Sequence, residues 1–399
     1  MSSLPTRIAS AHAYDTALTQ ITSRQAQLSR LQEQMTAGKR VLRPSDDPTG
    51  AAQAERAITR MARVTADQRA LEVQRNAMTT AESTLGDAVK AVQDFRTLVV
   101  QAGNSTLSAS DRASLVQQMS HLRDQILGYA NNSDSNGQPL FGGLGSTAAP
   151  FVDAAGGVVF NGIAGQPSAG ENAIAGALDG QAAFMDVPTG NGVFSIAQAS
   201  GTTGVWADAG QVTDPGALTG HGYRIEFSAS DGNTTYRVID ATTSTPVQAP
   251  QPYKAGQAIS FDGMSLVPGG TPADGNALLV SPSTRTSLFD VLDQAIAGVR
   301  DGSGGTLAQN VAQSLAQIDA GMSRLSAVRG CAGDLLNQAD SITDRNSAKS
   351  LQLEADRSAA EDIDTVKALS DFKNQETAYS AALGSYAQTQ KLSLFNFIS

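Results

Sequence analysis

Cysteine, histidine and tryptophan are almost absent from this sequence of 399 residues. It holds one cysteine, Cys331, together with three histidines and one tryptophan. A disulfide within the chain is therefore impossible, and we do not expect a zinc site of cysteine and histidine, because it would need the single cysteine and all three histidines together. Cys331 lies in a run of small residues, where we expect it to be packed and unreactive. We expect no metal and no cofactor.

Basic residues and long apolar runs are also scarce. The chain has 28 Lys and Arg against 38 Asp and Glu, which gives a net charge of −10 and an isoelectric point near 4.8. This balance argues against a nucleic-acid partner, because phosphates require a basic surface. No apolar run is long enough to span a bilayer, and residues 1–7 lack the apolar core of a signal peptide. We expect no membrane insertion, and either a cytosolic location or export without a cleaved signal.

Proline and glycine divide the chain into three parts. Proline is missing from residues 49–138 and 283–399, and 11 of the 14 prolines lie between 139 and 282. The stretch 142–305 holds 28 of the 38 glycines. Because proline breaks helix interiors and glycine weakens them, the outer parts are predicted to be long helices. The middle is predicted to be a turn-rich β region.

The last stretch, residues 363–399, shows the alternating steps of three and four that are typical of a coiled-coil seam. These positions are Leu369, Phe372, Glu376, Tyr379, Leu383, Tyr386 and Gln390. An uncharged tip follows, with Leu394, Phe395 and Phe397. The first helix has the same register, with Tyr14, Leu18, Ile21, Gln25, Leu28 and Met35.

A lone amphipathic helix of this length needs a partner to cover its apolar stripe. We therefore expect the two chain ends to form an assembly interface. On the first helix we predict contacts at Tyr14, Leu18, Ile21 and Leu28. On the last stretch we predict them at Phe372, Tyr379, Leu383, Tyr386, Leu394, Phe395 and Phe397. Residues 1–45 carry six basic and two acidic residues, whereas residues 350–399 carry four basic and seven acidic residues. These opposite net charges favour the pairing of the two ends, although only weakly.

Between these ends, the pattern predicts helices over about 7–36 and 49–102, a shorter third helix that carries Leu115 to Tyr129 and stops at Asn131, and further helices from about 285 and 306 onward. Gly38 is a natural residue just past a helix end, and Ser108 with Asp111 resembles a capping box. The three-four spacing continues from Ile58 to Val99, where ordinary bundle core is the favoured interpretation. In the middle, alternation around residues 223–227 and 236–238 predicts a hairpin, with short strands near 258–261, 265–267 and 278–280.

The predicted fold is mainly α with an inserted β domain, and its coiled-coil or bundle rod is built from both chain ends. We expect residues 1–45 and 363–399 to be the terminal assembly helices. Residues 46–145 and 285–362 form the predicted helical rod, and residues 146–284 form the predicted surface β domain. The segment Pro44, Ser45, Asp46, Asp47 and Pro48 is expected to be a structural corner, with Ser45 as cap and both aspartates at the helix N-terminus.

Several motifs resemble the flagellin superfamily, and within it the hook-associated branch. The main one is Thr36-Ala-Gly-Lys-Arg-Val-Leu-Arg-Pro-Ser-Asp-Asp-Pro48, followed by an alanine-rich helix. Gln101-Ala-Gly-Asn104, Leu140-Phe-Gly-Gly143 and the terminal Ser393-Leu-Phe395 match the same branch. The resemblance covers roughly residues 1–145 and 285–399. It is looser in the middle of the chain.

This resemblance implies a structural subunit of the bacterial flagellum that joins hook to filament. It implies terminal helices that pair on assembly, self-assembly into a ring, and export by the flagellar type III apparatus without signal cleavage. The implied partners are an adjacent hook-associated protein, flagellin, and an export chaperone on the C-terminal helix. The implied location is extracellular, in the flagellum.

Three other interpretations remain open. A flagellin-type filament subunit is the nearest, although flagellins usually carry an Asn-Ser-Ala-Lys-Asp-Asp-like run where this chain has Lys39-Arg40-Val41 and the residues to Pro48. An enzyme in the middle domain is disfavoured, since His221 is its one histidine and no nucleophile elbow or phosphate loop is present. Glu361, Asp362 and Asp364 are interpreted as a solvated helix face, because calcium-loop spacing is missing. A secreted adhesin with a glycan-binding middle domain is the third.

Overall fold

A computed structural model describes the backbone of residues 4–104, 106–146, 148–230 and 232–398, and within them the side chains of residue 12 and residues 14–388. The α-helices are α1 (Leu4–Ala37), α2 (Pro48–Ala102), α3 (Ala109–Ala130), α4 (Leu288–Asp301), α5 (Gly304–Glu361) and α6 (Thr365–Ile398). Helix and β region fall where proline and glycine predicted them. The mainly α fold with an inserted β domain is thereby confirmed.

Short strands fill the middle of the chain. In chain order they are β1 (Phe151–Ala154), β2 (Gly157–Phe160), β3 (Val187–Pro188), β4 (Phe194–Gln198), β5 (Val205–Ala207), β6 (Gln211–Val212), β7 (Tyr223–Ser230), β8 (Asn233–Asp240), β9 (Thr245–Pro246), β10 (Gln251–Pro252), β11 (Ile259–Phe261), β12 (Met264–Leu266), β13 (Pro268–Gly270), β14 (Ala277–Pro282) and β15 (Arg285–Thr286). The main sheet has the order β10-β8-β7-β14-β4, and β9 pairs with β8. Its predicted hairpin is confirmed, because β7 and β8 are antiparallel with Ser230 opposite Asn233.

The chain divides into two compact units. Unit 1 consists of Met1–Arg69 and Thr343–Ser399, and unit 2 consists of Ala70–Ile342. Unit 1 contains α1, α6, the first part of α2 and the last part of α5. Unit 2 contains every strand, α3, α4 and the rest of the two longest helices. The three-part division made from the sequence stays a prediction.

The larger core of unit 2 is built on the heptad of α2. Every seventh residue of its second part is buried, namely Leu71, Met78, Leu85, Val92 and Val99. These side chains pack in one cluster with residues of α3, α4 and α5. Four phenylalanines complete this cluster, and their rings pack in stacked, tilted or edge-to-face pairs. They are Phe141, Phe151 of β1, Phe184 and Phe289 of α4.

A second core lies between the strands of unit 2. Alternate residues of β7, namely Tyr223, Ile225 and Phe227, point into it together with Val238 of β8. This period of two is the pattern of a half-buried strand. A buried arginine, Arg123 of α3, joins the helices to β1, since it pairs with Asp293 of α4 at 3.0 Å and also with Asp153.

Two further expectations concern Cys331 and membrane insertion. The thiol of Cys331 is exposed on α5, so the expectation that it would be packed is wrong. The residues around Cys331 are small, so their pattern did not indicate which side of the helix is buried. In the part of the chain that the structure describes, no helix combines the length and the apolar character needed to cross a membrane.

Candidate assembly interface

The two terminal helices of unit 1 pack against each other in opposite directions. The rings of Tyr14 and Tyr386 meet edge to face, with centroids 5.7 Å apart and planes at 82°. Farther along the contact, the side-chain amide of Gln375 donates a hydrogen bond to that of Gln27. The residue number rises along α1 as it falls along α6, so the helices are antiparallel. We call α1 and α6 the terminal pair.

The apolar seam of the terminal pair is only partly covered. Half-buried side chains on this seam are Tyr14, Ile21, Leu28, Phe372, Tyr379 and Tyr386. Leu18 and Leu383 remain 47% and 41% exposed. Among the described side chains of the two helices, Ala368 alone is buried. Two helices in contact therefore leave apolar surface that a further neighbour can cover.

The structure brings some of the predicted contacts together and leaves others untested. Tyr14 touches Tyr386 directly. The three predicted contacts at the tip, Leu394, Phe395 and Phe397, lie outside the described side chains. That any of these residues meets a neighbouring copy stays a prediction.

A second feature of unit 1 is a contact between the segment that follows α1 and the segment between α5 and α6. We call it the joint. It consists of residues 38–50, which link α1 to α2 and include the first residues of α2, and residues 357–368, which include the end of α5, the break after it and the start of α6. The carbonyl oxygen of Glu361 accepts the N–H groups of Arg40 at 2.6 Å and Val41 at 3.3 Å. The N–H of Ile363 donates to the carbonyl of Gly38 at 3.1 Å. Sequence reasoning missed this pairing, because nothing local indicates that two breaks more than 300 residues apart lie side by side.

Charged side chains reinforce the joint. The carboxylate of Glu361 binds the Lys39 ammonium at 2.9 Å and the Arg357 guanidinium, and its side chain is only 10% exposed. Arg357 also pairs with Glu354 at 2.7 Å and lies 3.6 Å from Asp362. These hydrogen-bonded ion pairs raise the pKa of Arg357 above its ordinary value, with the bond to Glu354 as the largest cause. The guanidinium is thus fixed in place and stays charged.

The interpretation of the carboxylates near residue 361 as a solvated helix face is wrong for Glu361, whereas Asp364 is exposed at the start of α6. Glu361 is buried within the joint. Asp364 caps α6, since its Oδ1 accepts the N–H groups of Val366 and Lys367, both at 3.1 Å. An acceptor in that position satisfies N–H groups that have no partner inside the helix.

The segment from Pro44 to Pro48 turns the chain into α2, but its details differ from the prediction. Asp47, not Ser45, is the cap: its Oδ1 accepts the N–H groups of residues 49 and 50 at 3.1 and 2.9 Å. Bonds from the Gly50 N–H, the Thr49 hydroxyl and Arg40 hold the pKa of Asp47 well below its usual value.

Asp46 is also placed differently from the prediction. It turns away from the helix N-terminus, and its Oδ2 accepts the N–H groups of residues 42 and 43 at 3.3 and 2.9 Å. Local spacing fits either aspartate as the cap, so the sequence could not choose between them. Asp46 therefore holds the turn that precedes α2, and Asp47 holds the helix end.

His221, the histidine of the middle domain, contacts a carboxylate that stabilises a turn. His221 Nδ1 lies 2.7 Å from Asp240 Oδ2 at the end of β8. Burial alone would raise the pKa of Asp240, but hydrogen bonds from His221, Thr243 and Thr242 lower it to about 2. The carboxylate thereby fixes the turn that follows β8. Within the described residues, no group of three or more His, Cys, Asp or Glu side chains is placed to hold a metal ion.

Comparison with known proteins shows which broad class of protein this chain resembles. Residues 8–146 match the bacterial flagellin N-terminal helical region. This stretch contains most of α1, the joint segment 38–50, α2 and α3. The resemblance to the flagellin superfamily is therefore confirmed, and the chain is flagellin-like in its N-terminal helices.

The particular relatives are flagellar hook-associated proteins. The chain is 27% identical to flagellar hook-associated protein 3 of Escherichia coli (strain K12) over 391 residues, 94% of each chain. It is 39% identical to flagellar hook-associated protein 3 of Salmonella typhimurium over 159 residues, which is 38% of this chain and 48% of that one. The crystal structure of the flagellar junction protein FlgL from Legionella pneumophila is similar with a TM-score of 0.67 and 28% identity, over 72% of this chain and 99% of that chain. All three are structural components of the bacterial flagellum.

Proposed function

We propose that this chain is a structural subunit of the bacterial flagellum that joins hook to filament. It assembles with copies of itself into a ring through its paired terminal helices. The similarity to hook-associated protein 3 over 94% of the chain is the observation that carries this proposal. The Legionella pneumophila relative is described as a flagellar junction protein, which agrees with it.

The proposal also covers how the subunit is exported and which proteins lie next to it. It leaves the cell through the flagellar type III apparatus without signal cleavage, and an export chaperone holds its C-terminal helix beforehand. In the flagellum it lies outside the cell between an adjacent hook-associated protein and flagellin. Residues 1–45 and 363–399 enter the inner tube, residues 46–145 and 285–362 form the rod, and residues 146–284 face outward. No catalytic step is part of this role.

The distribution of exposed apolar residues in unit 1 supports assembly. Besides Leu18 and Leu383 on the seam, Leu369 is 52% exposed and Val366 is 80% exposed on α6. Leu351 on α5 is 74% exposed. Water-facing leucine and valine on adjoining helices mark a surface that a neighbour covers. The terminal pair is thus suited to pack further helices in a tube.

A flagellin-type filament subunit is the second candidate, because residues 8–146 match the N-terminal helical region of bacterial flagellin. The two candidates differ in where the protein accumulates. Antibody against residues 146–284 labels one spot at the base of each filament if the chain is a junction subunit. Labelling along the whole filament would establish the flagellin alternative instead.

Complementation tests the interface itself. A strain that lacks the native gene receives the wild-type chain, a truncation after Gln390, Leu383→Glu, or Val152→Glu. Val152 on β1 is 42% exposed, against 41% for Leu383, so it is a matched control in unit 2. We expect the truncation and Leu383→Glu to be exported but to leave cells without attached filaments and with unpolymerised flagellin in the medium. Normal swimming with either variant would contradict the proposed interface.

A further inference from the structure

Three asparagines of unit 2 are followed directly by glycine, namely Asn136, Asn161 and Asn191. In such a pair the glycine has no Cβ, so its backbone nitrogen can approach the side-chain carbonyl carbon of the asparagine. Attack of that nitrogen on the carbonyl carbon closes a cyclic imide and releases ammonia. In a folded chain the reaction is slowed by hydrogen bonds that hold either reacting group, which are the asparagine amide and the glycine N–H. The three pairs differ in these bonds.

Asn191 is fixed by hydrogen bonds at both reacting groups. Its Oδ1 accepts the N–H groups of Val193 and Phe194, both at 3.0 Å, and its Nδ2 donates to the carbonyl of Gly210 at 3.1 Å. The N–H of Gly192 donates to a backbone carbonyl at 3.2 Å. All four bonds oppose the rotation that brings the amide onto the Gly192 nitrogen, so this pair is protected.

Asn136 lies in an exposed turn, but its reacting nitrogen is already engaged. The N–H of Gly137 donates to the carbonyl of Asp134 at 3.0 Å. The Asn136 amide lies 3.5 Å from the Asp134 carboxylate, a weak contact. One firm hydrogen bond therefore has to break before the Gly137 nitrogen can react.

Asn161 differs from both, because its reacting groups are free. It is exposed directly after β2. Within the residues that the structure describes, neither its side-chain amide nor the N–H of Gly162 has a hydrogen-bond partner. The neighbouring backbone bonds use other groups. The Asn161 N–H donates to the Pro150 carbonyl at 2.7 Å, and the Ile163 N–H donates to the Gly145 carbonyl at 3.0 Å.

We propose that Asn161 is a site of spontaneous deamidation and the most reactive of the three Asn-Gly pairs. The Gly162 nitrogen bonds to Asn161 Cγ, and the proton of that nitrogen leaves with the side-chain NH2 group as ammonia. Water then opens the imide. Hydrolysis at Cγ breaks the new bond and gives aspartate, whereas hydrolysis at the backbone carbonyl carbon leaves the chain linked through Cγ as isoaspartate. The inference concerns unit 2 and does not rest on the role in the flagellum.

Isoaspartate at this position changes the fold locally, because it adds one methylene to the backbone. The added atom falls between two hydrogen bonds, from the N–H of residue 161 to Pro150 and from the N–H of Ile163 to Gly145. Ile163 also accepts the N–H of Leu144 at 2.8 Å. A longer chain between these bonds cannot keep the present spacing, so we expect residues 143–145 to separate from Ile163.

Peptide mapping by mass spectrometry on the full-length chain tests the ranking. The protein is incubated at mildly alkaline pH in buffer and in urea, and isoaspartate is detected by enzymatic methylation. The urea sample is the matched control, because all three pairs are Asn-Gly and should react at similar rates once unfolded. In buffer we expect Asn161 to react about fivefold faster than Asn136 and more than about tenfold faster than Asn191.

A variant and a second measurement complete the test. Asn161→Gln should remove the product at this position, since the longer side chain closes its ring poorly, and should leave the rates at Asn136 and Asn191 unchanged. Hydrogen exchange at residues 143–145 should rise in the reacted wild-type chain and stay constant in the incubated variant. Faster reaction at Asn136 or Asn191 than at Asn161 in buffer overturns the proposal, and so does equal protection of all three.

Discussion

Gln309 shows what a single buried amide does in this fold. Its side chain, 3% exposed on α5, accepts the N–H of Ala207 at 2.8 Å and donates to the carbonyl of Ile196 at 3.1 Å. Both bonds end on strand edges, at β5 and β4. One side chain of a helix thus satisfies polar groups of two strands that would otherwise be buried without partners.

Gln309→Ala should therefore lower the free energy of unfolding of unit 2 by about 1–3 kcal/mol, since it leaves a buried donor and a buried acceptor unpaired. Urea denaturation followed by tryptophan fluorescence measures the change, because Trp206 lies on β5 next to the affected strand edge. Gln313→Ala, one turn farther along α5 at a half-buried position, is the control and should change stability by less than about 0.5 kcal/mol. Equal effects of the two variants would refute this role.

The hydrogen bonds of a second single residue, Asp240, can be tested through the pH dependence of stability. Its pKa is about 2 in the folded chain against an ordinary value of 3.8. A depressed pKa stabilises the fold above the ordinary value, and that contribution disappears as the pH falls through about 2. We expect Asp240→Asn to melt below wild type at pH 7 by thermal denaturation and the difference to shrink steadily below pH 4. A difference independent of pH would contradict the assigned hydrogen bonds.

Among the elements, the start of α2 is set by a close approach to the end of α5. A Cβ added at Gly50 would lie 2.7 Å from Asp47 Oδ2 and 3.0 Å from the Ala360 carbonyl oxygen. Neither atom can move freely. Asp47 Oδ2 accepts a hydrogen bond from the Arg40 side chain while Oδ1 of the same carboxylate caps the helix, and the Ala360 carbonyl oxygen also accepts a hydrogen bond from the Arg40 side chain. Glycine is therefore required here by space, not by backbone conformation.

A matched pair of glycine substitutions tests this difference. Gly50→Ala should destabilise unit 1 by about 1–3 kcal/mol through overpacking. Gly330→Ala, at an exposed helical position of α5 with no atom within 4 Å of the added Cβ, should stabilise the chain by about 0.5–1 kcal/mol. Chemical denaturation followed by circular dichroism at the helix band measures both. Stabilisation by Gly50→Ala would show that the contact with α5 is not tight.

Elements could be predicted from the sequence where a period or a cap was present. The alternation of Tyr223, Ile225 and Phe227 gave the central hairpin, and Ser108 with Asp111 gave the start of α3, where the capping box is formed. Strands in residues 145–220 could be assigned only loosely, because β3, β5 and β6 have three residues or fewer, too few to show a period. The joint escaped prediction for a different reason, since its contacts join residues 38–41 to residues 360–363 by tertiary structure alone.

For the whole molecule, the two units differ in charge and in core. Unit 1 carries 16 basic and 14 acidic residues, whereas unit 2 carries 12 and 24. Unit 2 holds both large hydrophobic clusters. The net charge of −10 is therefore a property of unit 2, which has a large core, while unit 1 is nearly neutral and relies on helix pairing and the joint.

This contrast predicts two thermal transitions with different responses to salt. Unit 1, which has little buried apolar surface, should unfold first, and unit 2 should unfold at higher temperature because burial of apolar area dominates stability. Raising the salt concentration from about 20 mM to about 300 mM screens the repulsion among the acidic residues of unit 2, so the upper transition should rise in temperature. The lower one should stay or fall slightly, because the Lys39–Glu361 and Arg40–Asp47 pairs are screened as well.

Differential scanning calorimetry of the full chain at the two salt concentrations measures both responses. Glu361→Gln assigns the lower transition, because this variant should shift it and leave the upper one in place. Gln309→Ala should do the reverse. A single transition in the wild-type chain, or an equal shift of both transitions by either variant, would mean that the two units unfold as one cooperative body through the long helices α2 and α5.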